Sequence, residues 1–183
     1  MVALTDQELV LRSVSGNREA YGDLVERYQT AVFNVCLRLT SEKMAAEDLA
    51  QETFVRAFSR LTSFDRDRPF GPWIKRIASN LCINALKRLE PDSFDLEETA
   101  REPSPRSSEQ PEAALDESER SRLIRRAIAG LPAPYRAVIE LRHFEELDYQ
   151  AMARILNLPV NTVRTHLSRA RAALAKALIR EDI

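Results

Sequence analysis

Glycine is scarce in this chain, four in 183 residues, and no stretch alternates apolar and polar residues as a half-buried strand does. Together these absences exclude a sandwich or barrel, which needs period-two patterning and frequent turn residues. The long runs rich in Ala, Leu, Arg and Glu that remain are those of an all-α protein. Cysteine is equally sparse. Cys36 and Cys82 lie far apart, with no C-x-x-C and no clustered histidine, so neither a zinc site nor a disulfide framework is indicated, and both read as small apolar packing residues. No apolar run is long enough to span a bilayer and no signal-peptide pattern opens the chain, which points to the cytoplasm. The two histidines, His143 and His166, sit in no serine, cysteine or metal-ligand constellation, and no glycine loop could cradle a phosphate. The expectation is therefore a protein with no catalytic residue, metal, cofactor or small-molecule substrate.

Net charge is also almost missing, −1 overall, but the total conceals three unlike segments. Residues 1–88 carry 13 Lys and Arg against 11 Asp and Glu, residues 89–118 carry 2 against 10, and residues 119–183 carry 12 against 7. The C-terminal piece is thus basic enough to attract a phosphate backbone, and the middle piece is strongly acidic.

Helical periodicity divides the chain in the same places. Thr5 and Glu8 form a capping box, with Leu4 and Leu9 as the hydrophobic staple, and this first helix ends near Ser15-Gly16-Asn17. A second helix follows, with Tyr21, Leu24, Val25, Tyr28, Val32, Val35 and Leu39 at helical spacing, until Thr40-Ser41 breaks it and caps a third over Glu42 to Leu61. Thr62 to Arg68 reads as a loop, and Pro69 suits the first turn of a fourth helix reaching about Arg88. From Leu89 to about Asp116 the period fails and Pro, Ser and acidic residues dominate, as in a flexible linker. Roughly 28 such residues reach about 90 Å when extended, more than two turns of B-DNA. Beyond it, one helix carries Leu123, Ile124, Ile128 and Leu131 and stops at Pro132 and Pro134, and another spans about Tyr135 to His143. Asp148 caps a short helix through Leu156, Asn157-Leu158-Pro159 turns, and Asn161 caps a last helix from Thr162 to about Ile179, which is the form of a helix-turn-helix. The organisation predicted is a four-helix domain over 1–88, a flexible acidic linker over 89–116 and a helix-turn-helix domain over 117–183.

Three surfaces on these helices stand out. At 100° steps Val163, Leu167, Ala170 and Leu174 make the core side of the last helix, while Thr165, Ser168, Arg169 and Ala172 point away. Arg169 could pair with a guanine edge and Thr165 with a base or thymine methyl, with Arg164, His166 and Arg171 on phosphates; the plainer reading is a solvated face. The fourth helix carries a core stripe of Phe70, Ile74, Ile77, Ala78, Leu81 and Ala85, and beside it a line of Trp73, Arg76, Asn80, Asn84 and Lys87. An aromatic, two amides and two cations in one line suit unpaired nucleotides, although a tryptophan at the core edge beside solvated amides has the same spacing. On the third helix Ala50, Phe54, Ala57, Phe58 and Leu61 face inward, so Asp48, Glu52, Val55, Arg56 and Ser59 face outward with Leu49 beside them. That is the look of a protein-docking patch, or of scattered exposed apolar residues.

In this order the surfaces resemble the extracytoplasmic-function (ECF) sigma factors of bacterial RNA polymerase. Residues 46–54, AEDLAQETF, resemble the family's core-binding motif in region two, and residues 70–80, FGPWIKRIASN, its promoter-melting segment. Residues 131–136, LPAPYR, together with 148–153, DYQAMA, and 163–171, VRTHLSRAR, resemble region four. The resemblance implies a subunit that lends promoter recognition to core RNA polymerase, with an anti-sigma factor as a further partner. Asp48, Leu49, Gln51, Glu52, Val55 and Arg56 would dock on the polymerase. The loop from Ser63 to Arg68 with Phe64, then Phe70, Trp73, Arg76, Asn80, Asn84 and Lys87, would hold opened minus-ten DNA. Asn161, Thr162, Arg164, Thr165, His166, Ser168, Arg169 and Arg171 would serve the minus-thirty-five element of promoter DNA. Asn161 stands where glycine is common in the family and His166 where arginine is frequent, and the expectation is that no extra regulatory domain follows Ile183. The rival is a helix-turn-helix regulator that never touches polymerase; it leaves the Asp48–Phe54 motif and the Trp73 stripe without a role.

Overall fold

The structure, a computed structural model, describes residues 4–89, 94 and 119–180. Every regular element among them is a helix. Helix α1 (Asp6–Val14) opens on the expected capping box: the Thr5 hydroxyl accepts the Glu8 N–H at 3.3 Å and the Glu8 carboxylate accepts the Thr5 N–H at 2.8 Å. The Thr5 N–H first, and then the Thr5 hydroxyl donating to the same carboxylate oxygen at 2.9 Å, hold the Glu8 carboxyl below its ordinary pKa. Gly16, at φ +96°, turns the chain, and Asn17 caps α2 (Arg18–Thr40) by accepting the Ala20 N–H at 3.1 Å.

One cap differs from the sequence expectation. Ser41 takes the left-handed conformation that ends α2, so it cannot start the next helix, and Glu42 caps α3 (Lys43–Arg60) instead, its carboxylate accepting from Met44 and Ala45 at 2.8 and 2.6 Å. A 3₁₀ turn, Leu61–Ser63, leads through the loop to α4 (Phe70–Leu89), with Pro72 in its first turn. The core of this N-terminal domain is built from Leu9, Leu24, Val32, Val35, Leu39, Phe70, Ile74 and Ala78. Phe58, expected inside, is 49% exposed. Small residues, Ala46, Ala50, Thr53 and Ala57, fill the α3 side facing α2, and the close approach they allow leaves the large ring at the rim, edge-on to Tyr21 at 4.8 Å.

The second domain consists of α5 (Glu119–Ala129), α6 (Ala133–Ile139), α7 (Tyr149–Leu156) and α8 (Val160–Arg180). Helix α6 winds on as a π-helical turn, Glu140–Phe144, closed by the Glu145 N–H on the Glu140 carbonyl at 3.0 Å. Asp148 caps α7 as expected, at 2.7 Å from the Ala151 N–H, and Asn157 in the left-handed region ends it. Asn161 does not cap α8. The helix begins one residue before it, because the Pro159 carbonyl already accepts the Val163 N–H at 3.1 Å. The segment read as an acidic linker lies, apart from Leu89 and Phe94, outside the described residues; Phe94 is buried.

The two domains are docked on each other. Helix α2 packs against α3 and α4 and also against α5, α6 and the π turn. Arg38 grips the Glu140 carboxylate with two bonds of 2.7 and 2.8 Å and lies over the Phe144 ring at 4.2 Å. Arg136 donates to the Leu39 carbonyl of α2 at 2.9 Å and to Leu131 and Ala129 carbonyls at 2.5 and 3.4 Å, satisfying exposed ends of two helices with one buried guanidinium. Lys75 pairs with Glu145 at 3.6 Å, and Lys87 donates to the Leu156 carbonyl.

Candidate nucleic-acid interface

Helix α8 divides as its spacing predicts. Val163, Leu167 and Ala170 are buried and Leu174 half-buried, while Arg164, Thr165, Ser168, Arg169, Arg171 and Ala172 are exposed together. The Thr165 hydroxyl donates to the Asn161 carbonyl at 3.0 Å, which commits its proton and leaves a methyl and a lone pair for a base edge. Arg164 lies over the Tyr149 ring at 5.3 Å, and Arg142 over the same ring at 5.4 Å. Tyr149 thus fixes where Arg164 points, a role the sequence did not single out. No acidic residue occupies the first turn of α8, so its positive end is free to face phosphate.

His166 is a correction. It is 4% exposed, edge-on to Tyr135 at 6.0 Å, with Nδ1 unpartnered. Burial first, and the Arg169 charge second, hold its pKa below the ordinary 6.5. A neutral, enclosed ring does not contact phosphate. It lies one position before Leu167, near enough to the core stripe to be drawn in by Tyr135.

On α4, Trp73 is half-buried and rests on two other rings, 4.7 Å from Phe64 and 5.4 Å from Phe70 between centroids, with Phe64 and Phe70 edge-on at 5.7 Å. Phe70 in turn meets Tyr28 at 5.3 Å. This is an aromatic shelf with one ring outward. Phe64 and Phe70, both expected on DNA, are buried, so they brace Trp73 from behind. Gly71 makes the shelf possible: a Cβ there would meet the Tyr28 ring at 3.0 Å. Burial and the bond to Asp6 push the Tyr28 hydroxyl up to about 12. Beside the shelf Arg76 and Asn84 are exposed and Asn80 is half-buried. Lys87 is held by the second domain and lies 5.7 Å from the Phe94 ring centroid.

The α3 face presents Asp48, Gln51, Glu52, Val55 and Arg56, all exposed, with Glu52 and Arg56 paired along the helix. Leu49, expected outside, is half-buried against the core. Gln51 lines a groove of about 380 Å³ between α2 and α3, with Val25, Phe33 and Phe54 on its walls. An apolar groove rimmed by the Glu47 carboxylate and the Gln29 and Gln51 amides suits a protein helix better than an anionic strand. Glu140 was also missed in the sequence; a carboxylate set between the apolar Val138-Ile139 and Leu141 is the signal that could have found it.

Comparison with known proteins agrees with this geometry. Residues 24–91 match the family described as Sigma-70 region 2 and residues 121–174 match Sigma-70, region 4. The chain is 38% identical over 170 residues to the ECF RNA polymerase sigma factor SigW of Bacillus subtilis, covering 89% of this chain and 91% of that one. Its fold is similar to that of CnrH in complex with the cytosolic domain of CnrY, with a TM-score of 0.57, 28% identity and coverage of 97% of this chain and 99% of that one. It is also similar to the sigma factor RpoE of Bartonella quintana, solved with the anti-sigma factor NepR, at TM-score 0.56 and 23% identity over 86% of this chain and 96% of that one. The chain belongs to the ECF RNA polymerase sigma factors.

Proposed function

We propose that this sigma factor divides promoter recognition among three faces, with residues 1–88 and 117–183 as the working domains and 89–116 as the tether. Asp48, Gln51, Glu52, Val55 and Arg56 on α3 hold core RNA polymerase, with Leu49 supporting from the half-buried side. Trp73 stacks on an unpaired minus-ten base, with Arg76, Asn80 and Asn84 on the adjoining strand, and Lys87 joins them once the second domain releases it. On α8, Thr165, Ser168 and Arg169 read the minus-thirty-five duplex, Arg164 and Arg171 take phosphates, and Asn161 and Thr162 lie at the end of the helix that enters the groove. The protein does no covalent chemistry itself and works in the cytoplasm, where core polymerase and promoter DNA are. An anti-sigma factor is a further partner, as it is for the Bartonella protein.

The observation that carries this reading is the braced Trp73 shelf lying in the same domain as the acidic α3 face. A regulator that only bound duplex DNA would need neither. Purified chain added to sigma-free core polymerase is expected to start transcription from one promoter class, and Gln51→Ala with Glu52→Ala to abolish core binding. DNA binding without any core binding would favour the polymerase-independent regulator instead.

A further inference from the structure

The π turn that follows α6 also reaches across its own domain towards α8. Arg142 donates to the Leu147 carbonyl at 2.9 Å and shares the Tyr149 ring with Arg164. The next residue, His143, is exposed, and its Nε2 lies 3.4 Å from the Arg171 guanidinium. Arg164 and Arg171 stand on one exposed face of α8, two helical turns and about 10 Å apart. Adjacent residues of the turn thus each meet one of the arginines proposed above for DNA phosphates.

The Arg171 contact fixes the state of the imidazole. A guanidinium has only donors and keeps its charge, so Nε2 must accept, and a neutral ring that accepts at Nε2 carries its proton on Nδ1. A protonated ring has donors on both nitrogens and is repelled by Arg171. Of the neighbouring charges, Arg171 comes from α8 and Arg142 from the turn itself; Glu140 and Glu145 of that turn are taken by Arg38 of α2 and Lys75 of α4, and Asp148 caps α7. Partial dehydration first, then Arg171 and Arg142, hold the His143 pKa below the ordinary 6.5. In the free chain His143 is therefore an acceptor that orients Arg171. A phosphate changes both conditions: it offers Arg171 a better acceptor, and its negative charge offsets the field that keeps the ring neutral.

We propose that His143 and Arg171 form a proton-linked phosphate site: the neutral imidazole orients Arg171 in the free chain, and when a DNA backbone phosphate takes Arg171 the ring gains a proton from solvent and becomes a second cation on that phosphate. This rests on the assignment of α8 to minus-thirty-five DNA. Binding then takes up a proton, so affinity rises as pH falls through the range of the bound ring and levels off below that of the free ring.

Holoenzyme assembled from the full chain and core polymerase, titrated into a labelled duplex carrying the minus-thirty-five element of a promoter it transcribes, tests the linkage. Between about pH 7.5 and about pH 6 the wild type is expected to gain about 3- to 10-fold in affinity. His143→Gln, which cannot change charge, is expected to lose that gain. His166→Gln, at the chain's other histidine, is expected to keep it. If His143→Gln does not fold by circular dichroism, Arg171→Met takes its place and is expected to reduce the gain. In the free chain, imidazole nitrogen NMR is expected to show neutral His143 protonated on Nδ1, a preference that Arg171→Met removes. A gain that persists undiminished in these variants, a wild type without one, or a free ring protonated on Nε2 overturns the site. A wild-type holoenzyme that does not bind the duplex at any pH overturns the minus-thirty-five assignment instead, while the tautomer still decides the His143–Arg171 contact, so the two failures are told apart.

Discussion

Helices α4 and α8 each carry the stripe proposed above for nucleic acid beside a core stripe, and they differ in how sharply the two are separated. On α8 the dividing line is clean: Arg164, Thr165, Ser168 and Arg169 are exposed while Val163, Leu167 and Ala170 are buried. On α4 the stripes share a tryptophan, whose ring stands half in the core on Phe64 and Phe70. The difference fits the two tasks proposed for them. Reading a duplex edge needs donors and acceptors that stand free of the protein. Replacing the stacking of a lost neighbour needs a flat apolar surface that does not itself move, and rigidity comes from burying part of it.

That contrast can be broken by mutation. Phe70→Ala should cost about 3–5 kcal/mol of folding stability in urea titration, because the ring is core and brace; a change near zero would place it outside the core and return it to the DNA-contact set. Trp73→Ala should cost less stability and weaken promoter opening by about 1–3 kcal/mol, the worth of one stacked base. Permanganate footprinting reads that defect, and a premelted template should rescue it; no rescue counts against a melting role. Arg169→Ala should relax selectivity at one minus-thirty-five position by about 1–3 kcal/mol and leave opening alone, which a binding series over single-base variants would reveal.

The smallest effect concerns His166. Its pKa is lowered by burial and by Arg169, so the folded protein prefers the neutral ring. The stability it contributes is present above the ordinary value of 6.5 and is lost as pH falls through the depressed folded value. The thermal stability of the wild type should therefore fall on acidification below 6.5, and His166→Gln should flatten the dependence. An unchanged pH profile in the variant would mean that the ring is not enclosed.

Much of this was legible in the sequence for a local reason. Caps such as Thr5 and Asp148 act within three residues of themselves, and α8 shows its two faces through spacing alone. What escaped depends on neighbours. A helical wheel gives the angle of Phe58 but not that Ala46, Ala50 and Ala57 draw α3 too close to α2 to admit a ring. The wheel places His166 on the flank, and only Tyr135 from another helix closes it over. Glu140 meets Arg38 across 102 residues of sequence, a pairing that no periodicity in either helix announces.

Gly71 has a consequence that reaches the N-terminus. Asp6 on α1 bonds both Arg27 and the Tyr28 hydroxyl, the Tyr28 ring lies against the bare Cα of Gly71 and against Phe70, and Phe70 supports Trp73. These parts form a mechanical series in which each member transmits displacement to the next. A methyl at position 71 would lengthen one link by a few tenths of an ångström, and the slack would appear as a tilt of the outermost ring, two helices away from the carboxylate that anchors the train.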